Sequence, residues 1–239
     1  MIYFGICVGD ENRYRAIAEP SIAAACPGAV TMCLTGQRSI HAAYAQLLEA
    51  ARTAGDAEAL VLMHEDVVLA DADVAAKLRR TFGEDERIAI VGVVGGRRPR
   101  SLRWHGQTPS FGSVAESRFD ISFLPAPADV DVLDGLFLAL SPWAIEHLDF
   151  DEVTYGGFHA YDADICLQAR ERGGRVVVRD IELFHATKGG LGDARAFRQC
   201  DRIWRDKWHG SRFVDARMRT WDTKPGLRKV ADLASLGRR

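Results

Sequence analysis

Cysteine is sparse in this chain and never closely paired. Cys7, Cys26, Cys33, Cys166 and Cys200 are odd in number and widely spaced, which excludes a CxxC redox motif and a zinc knuckle. Four of them lie in apolar runs, where a reduced thiol behaves as a small hydrophobe. Neither sign of charge dominates: the formal net charge is −2, so no overall field draws nucleic acid or an anionic membrane surface. No apolar run is long enough to span a membrane. The opening MIYFGICVGDENRYR has no basic leader, and its apolar stretch is too short for a secretory signal. Internal repeats and low-complexity tracts are missing as well. These absences lead us to expect a cytoplasmic protein with no nucleic-acid partner and no membrane span.

What is present is an ample core and a regular alternation. Hydrophobic residues make up 47% of the 239, enough for one large α/β domain. IYFGICVG (2–9) reads as a buried strand that ends in the polar loop Asp10-Glu11-Asn12. RYRAIAEPSIAAAC (13–26) is helical in pattern, with a break expected at Pro20. AVTMCL (29–34) is a second strand, and Ser39 and Gly55 bracket a helix over 40–54. A third strand over 59–66, a helix over 71–85 and a fourth strand over 88–96 follow. Units of about thirty residues that alternate strand and helix predict an open, mostly parallel sheet flanked by helices on both faces.

The second half departs from this rhythm. Residues 97–120 are basic and aperiodic, which fits a surface excursion or flap. Strand character returns over 128–142 and 175–186, and helices are expected over 162–173 and 193–208. We therefore divide the chain into a first half (1–96), a flap (97–120), a second half (121–210) and a basic tail (211–239).

Ligands in open α/β sheets sit beyond the carboxyl ends of the strands. Three acidic clusters fall there or nearby: Asp10-Glu11-Asn12, His64-Glu65-Asp66, and Asp131 with Asp134 in VDVLDG. A carboxylate at a buried strand end is costly unless a cation compensates it, and a divalent ion sharing a substrate's phosphate oxygens would do so. The same residues also read as the start of a solvated loop or as helix caps. Asp134-Gly135 is a turn signal, although Gly135 between apolar neighbours also permits close approach of a ligand.

The segments LVLMHEDVVL, VDVLDGLFLAL, FHAYDADICLQARERGGRVVV and ELFHATKGG together resemble a GT-A glycosyltransferase of the family 2 type, and within it the StrF-like branch. The resemblance spans most of residues 1–210 and is most specific at 159–188. It implies transfer of a sugar from a nucleotide-diphosphate sugar to an acceptor, with inversion and with Mn²⁺ or Mg²⁺ as cofactor. Asp66 aligns with the metal-contacting end of a DxD-type element, and His185 completes the metal site. His64 stands where that element has its first Asp; it is expected to bind the metal through a neutral imidazole nitrogen or to contact the donor. Asp162 takes the place of the general base, although an Asp opening a helix is by itself an N-cap. Gly9, Asp10, Asn12, Glu65, Asp134, Gly135 and Lys188 fall where donor contacts are expected, and His159, Tyr161 and Asp164 where the acceptor would lie. Asp164, two residues beyond Asp162, cannot point the same way on a helix, so structure and acceptor positioning both stay open for it.

The chain departs from that family in places. Thr35-Gly36-Gln37-Arg38 carries no acid where a pair usually reads the base, and Tyr161 replaces a Glu before the catalytic Asp. These departures leave room for a GT-A protein that binds nucleotide or sugar without turnover. A sugar-phosphate nucleotidyltransferase would need a Gly-rich basic loop after the first strand, and VGDENRYR has one Gly followed by acids.

Overall fold

The computed structural model describes residues 1–117, 120–187 and 193–209. Lys188 and the basic tail over 211–239 lie outside the described residues. The first half runs β1 (Ile2–Val8), α1 (Glu11–Ala16), α2 (Ala18–Ala25), β2 (Val30–Thr35), α3 (Ile40–Ala54), β3 (Ala59–Met63), β4 (Val67–Leu69), α4 (Val74–Glu84), β5 (Ile88–Gly92) and β6 (Val94–Gly96). The second half adds β7 (Ser110–Glu116), β8 (Ile121–Ser122), β9 (Ala128–Val130), β10 (Val132–Leu133) and β11 (Phe137–Leu140). It closes with α5 (Pro142–His147), α6 (Tyr161–Glu171), β12 (Arg175–Val178), β13 (Leu183–His185) and α7 (Ala194–His209).

The main sheet has the order β2-β1-β3-β11-β5-β12-β9. Its parallel pairs are β1 with β2, β1 with β3 and β5 with β12, whereas β11 and β9 pair antiparallel. Five strands therefore point one way and two are reversed, so the sheet is mixed. In β3 and β11 every residue is buried, which explains why ALVLM and FLAL carry no polar alternation: both faces are covered. Along α3, Ile40, Ala43, Tyr44, Leu47, Leu48 and Ala51 form the buried stripe of an amphipathic helix. Ser39 caps its start, and Gly55 ends it in the left-handed conformation at φ 72°.

Three sequence expectations are corrected. The helix expected over 13–26 breaks at Ile17, between α1 and α2, and not at Pro20. Pro20 sits in the first turn of α2, where no intrahelical N–H bond is lost. The strand expected over 88–96 is two strands in two sheets: β5 belongs to the main sheet, and β6 joins the smaller path β10-β6-β7-β13-β4. Residues 97–120 are not a bare excursion, because β7 pairs with both β6 and β13. Gly112 permits that pairing. Its φ is 90°, and a Cβ there would lie 1.9 Å from the Val93 carbonyl oxygen.

The smaller sheet determines the site. His64-Glu65-Asp66 leaves the end of β3, and β4 begins at the next residue. β13 runs antiparallel to β4 with His185 opposite Val67, and Ala186 N–H donates to the Asp66 carbonyl at 2.8 Å. A residue 119 positions later in the chain thus arrives beside Asp66 through ladder geometry. On the other side, β11 runs back along β3 with Phe137 opposite Met63. This places Asp134-Gly135-Leu136 next to His64, whose N–H donates to the Leu136 carbonyl at 3.1 Å.

Candidate functional site

At the carboxyl edge of β3, one atom each from His64, Asp66 and His185 lies within 4.8 Å of the others. His185 Nε2 is 3.4 Å from Asp66 Oδ1, and its Nδ1 is 3.0 Å from Glu116 Oε1. The Arg13 guanidinium lies 2.8 Å from Asp66 Oδ2 and also donates to the Ala186 carbonyl. Burial alone would push the Asp66 carboxyl up; His185, His64 and Arg13 outweigh it and hold the group below the usual carboxylate range. For His185, burial opposes the charged form, but Asp66 and Glu116 overcome it and raise the pKa. His64 behaves oppositely: burial dominates and lowers its pKa, which favours the neutral ring, the form with a lone pair to offer.

Glu65 points the other way along the edge. Its Oε2 accepts the N–H groups of Gly9 at 2.6 Å and Asp10 at 2.9 Å, tying the end of β1 to the end of β3. The Asp10 carboxylate accepts from the N–H groups of Asn12 and Arg13 and caps α1. That cap orients the helix that carries Arg13.

Asp162, in the first turn of α6, accepts the Gly135 N–H at 3.1 Å. Its carboxyl is pushed up to about 6, first by burial and then by the neighbouring Asp134 carboxylate. Asp134 is itself held well below its ordinary value. Burial acts against this, but His105, with Nε2 at 2.7 Å from Asp134 Oδ2, and the Leu136 N–H outweigh it. Two carboxylates that feel each other's charge are thereby divided into one held ionised and one pushed up to about 6. The His105 ring stacks on Trp104, with centroids 3.8 Å apart. The turn into α6 passes through Ala160 at φ 73°, a left-handed conformation that is costly for a residue with a Cβ.

Two cavities meet here. One, of about 430 Å³, is lined by Gly9, Gln37, Tyr44, Glu65 and Asp66 at the ends of β1 and β2. The other, of about 590 Å³, is lined by His105, Asp134, Gly135, His159 and Asp162. His64, Phe158 and Tyr161 line both. The arrangement brings a carboxylate and two imidazoles that could ligate a cation, and a carboxyl pushed up to about 6, to the junction of two compartments.

The structure gathers Asp66, His185, His64, Glu65, Gly9, Asp134, Gly135, Asp162, Tyr161 and His159 around this junction. Among the described residues, it does not bring Asp10, Asn12, Asp164 or Asp131 there. Asp10 is engaged as a helix cap, and neither Asp10 nor Asn12 lines either of these two cavities. Asp164 is 1% exposed and bonded to Tyr155, Gln168, Lys207 and Trp208, so it does not reach an acceptor. Asp131 is buried in an ion pair with Arg170 at 2.7 Å. Sequence reasoning missed Arg13, His105 and Glu116. None stands in a distinctive motif, and each meets its partner only through strand pairing or a helix cap.

The fold with this edge site defines a GT-A glycosyltransferase scaffold. GalNAc-T7, solved with UDP, GalNAc and Mn²⁺, is similar with a TM-score of 0.60 at 9% identity, over 98% of this chain and 55% of that one. The mannosyltransferase PcManGT of Pyrobaculum calidifontis, solved with GDP-Man and Mn²⁺, is similar with a TM-score of 0.52 at 13% identity, over 100% of this chain and 80% of that one. The chain belongs to the glycosyltransferase-like family whose model matches residues 4–195, and it is a glycosyltransferase. It is 27% identical over 208 residues to the streptomycin biosynthesis protein StrF of Streptomyces griseus, covering 85% of this chain and 73% of that protein. Among the described residues no helix is long and apolar enough to cross a membrane.

Proposed function

We propose that this glycosyltransferase moves a sugar from a nucleoside diphosphate donor to an acceptor hydroxyl in one displacement, with inversion at the anomeric carbon. The observation that carries the reading is the convergence of Asp66, His185 and His64 beside Asp162 at the junction of the two cavities. The smaller cavity, at the strand ends, would take the nucleotide, and the larger one the acceptor. Asp162 would accept the acceptor's proton as its oxygen bonds to the anomeric carbon and the bond to the diphosphate breaks. A carboxyl near pKa 6 suits that task, since it is ionised at neutral pH yet more basic than an ordinary Asp.

The donor set fits a divalent cation: one carboxylate and two imidazoles, with His185 oriented by Glu116 through its other ring nitrogen. Two nitrogen ligands favour Mn²⁺ over Mg²⁺, which prefers oxygen. When bound, the cation supplies positive charge to the departing diphosphate, and Arg13 adds a fixed positive charge at the same edge. The Mn²⁺ and nucleotides that accompany GalNAc-T7 and PcManGT support the reading. We place the activity in the cytoplasm, as the five free cysteines support.

A second reading, a donor-binding protein without turnover, draws on the Arg13–Asp66 ion pair, which already neutralises that carboxylate. Titration calorimetry with UDP, GDP and TDP, with and without Mn²⁺, separates the two. Metal-dependent binding of one nucleotide, with donor hydrolysis that Asp162→Asn abolishes, is the expected result. Binding indifferent to Mn²⁺, with no turnover of any donor, would sink the transferase mechanism.

A further inference from the structure

His64 Nε2 lies 2.6 Å from the Tyr161 hydroxyl. That hydroxyl has little freedom to move. The Tyr161 ring is buried and meets the edge of Tyr44 at 5.3 Å. Its oxygen also rests against Gly135, where a Cβ would lie only 2.1 Å away. Gly135 is in turn tied by its N–H to Asp162. A neutral imidazole has one N–H and one lone pair, so fixing the role of one nitrogen fixes the other.

We infer that Tyr161 is a positioning residue whose hydroxyl accepts the Nε2–H of His64, which leaves the ring's only lone pair on Nδ1 for the cation shared with Asp66 and His185. The inference rests on the metal reading proposed above. It gives His64 the device already visible at His185, where Glu116 faces Nδ1 and Nε2 is left toward Asp66. Outer partners of this kind set the tautomer and orientation of ligating histidines. The opposite polarity, with the hydroxyl donating to Nε2, would place the proton on Nδ1 and leave no lone pair free. Because Tyr161 precedes Asp162 on α6, one turn of helix supports both the cation site and the base.

The test has two arms. Nitrogen NMR of the metal-free protein at pH 8, with the His64 signals assigned by their loss in His64→Gln, should show the Nε2–H tautomer in wild type and a mixture in Tyr161→Phe. Titration with Mn²⁺ in the presence of UDP or GDP should show affinity weakened roughly 10- to 100-fold in Tyr161→Phe. That variant keeps the buried ring, and its melting curve checks its fold. An Nδ1–H tautomer in wild type, or Mn²⁺ affinity in Tyr161→Phe within twofold of wild type, overturns the inference alone. A wild type that binds no Mn²⁺ removes the metal reading and the inference with it.

Discussion

At the scale of single residues, the proposed mechanism makes the Asp134–Asp162 pair govern the pH behaviour. In that mechanism Asp162 acts as a base only when ionised, and its carboxyl is pushed up to about 6. Turnover should therefore rise with pH through a midpoint near 6 and level off above neutrality. Asp134→Asn removes the neighbouring negative charge that helps hold the proton on Asp162, so the acid limb should move to lower pH. A limb that keeps its place in this variant would show that another group is titrating. Asp162→Asn should abolish turnover and yet raise the melting temperature at pH 8 by a few degrees. It removes a carboxylate ionised against its environment, worth roughly 1–3 kcal/mol. Gly135→Ala acts through shape instead: the new methyl would collide with the Tyr161 oxygen 2.1 Å away. We expect a loss of about 1–3 kcal/mol from overpacking, read as a lower denaturation midpoint at unchanged slope.

At the scale of elements, α7 is fastened to α6 through one buried carboxylate. Asp164 Oδ1 accepts Trp208 Nε1–H at 2.7 Å and the Tyr155 hydroxyl at 3.1 Å, and Lys207 Nζ lies 2.9 Å from it. Asp164→Ala would leave an indole N–H and a phenol without their acceptor, and the Lys207 ammonium with Asp151 alone. Breaking such a cluster from one side costs about 3–5 kcal/mol, and Asp164→Asn, which keeps an acceptor oxygen, should cost less in chemical denaturation. Much of this layer could be read from the sequence. Buried strands announced themselves as unbroken aliphatic runs, and Ser39 and Gly55 marked the ends of α3 through their own conformational preferences. Failures came where local signals mislead: Pro20 reads as a breaker but is harmless in a first turn, and IAIVGVVGG is one apolar run shared by two sheets. That Asp164 must point away from Asp162 followed from helix geometry, but its partners on α7 and before α6 could not, because packing alone chooses them.

At the scale of the whole molecule, the site belongs to no single segment. Asp66 follows β3, His185 ends β13, Glu116 ends β7, Arg13 rides on α1, and Tyr161 and Asp162 open α6. The sequence offered Asp66, His185 and Asp162 only because their segments resemble a family. Arg13, His105 and Glu116 carry no such mark, since their roles arise when the two sheets meet. His64 and Tyr161, the positions that depart from the family's usual acids, are hydrogen-bonded to each other. No stretch of chain could have shown that contact. A ligand seated across these elements should therefore stabilise the fold as a unit. With Mn²⁺ and the preferred nucleoside diphosphate at about 100 times their dissociation constants, mass action adds about 2.7 kcal/mol. For a domain of this size that raises the melting temperature by roughly 5–10 °C. Chelation should reverse the shift, and Asp66→Asn or His185→Ala should abolish it. If the shift survives both substitutions, the cation binds somewhere other than the edge where the two sheets converge.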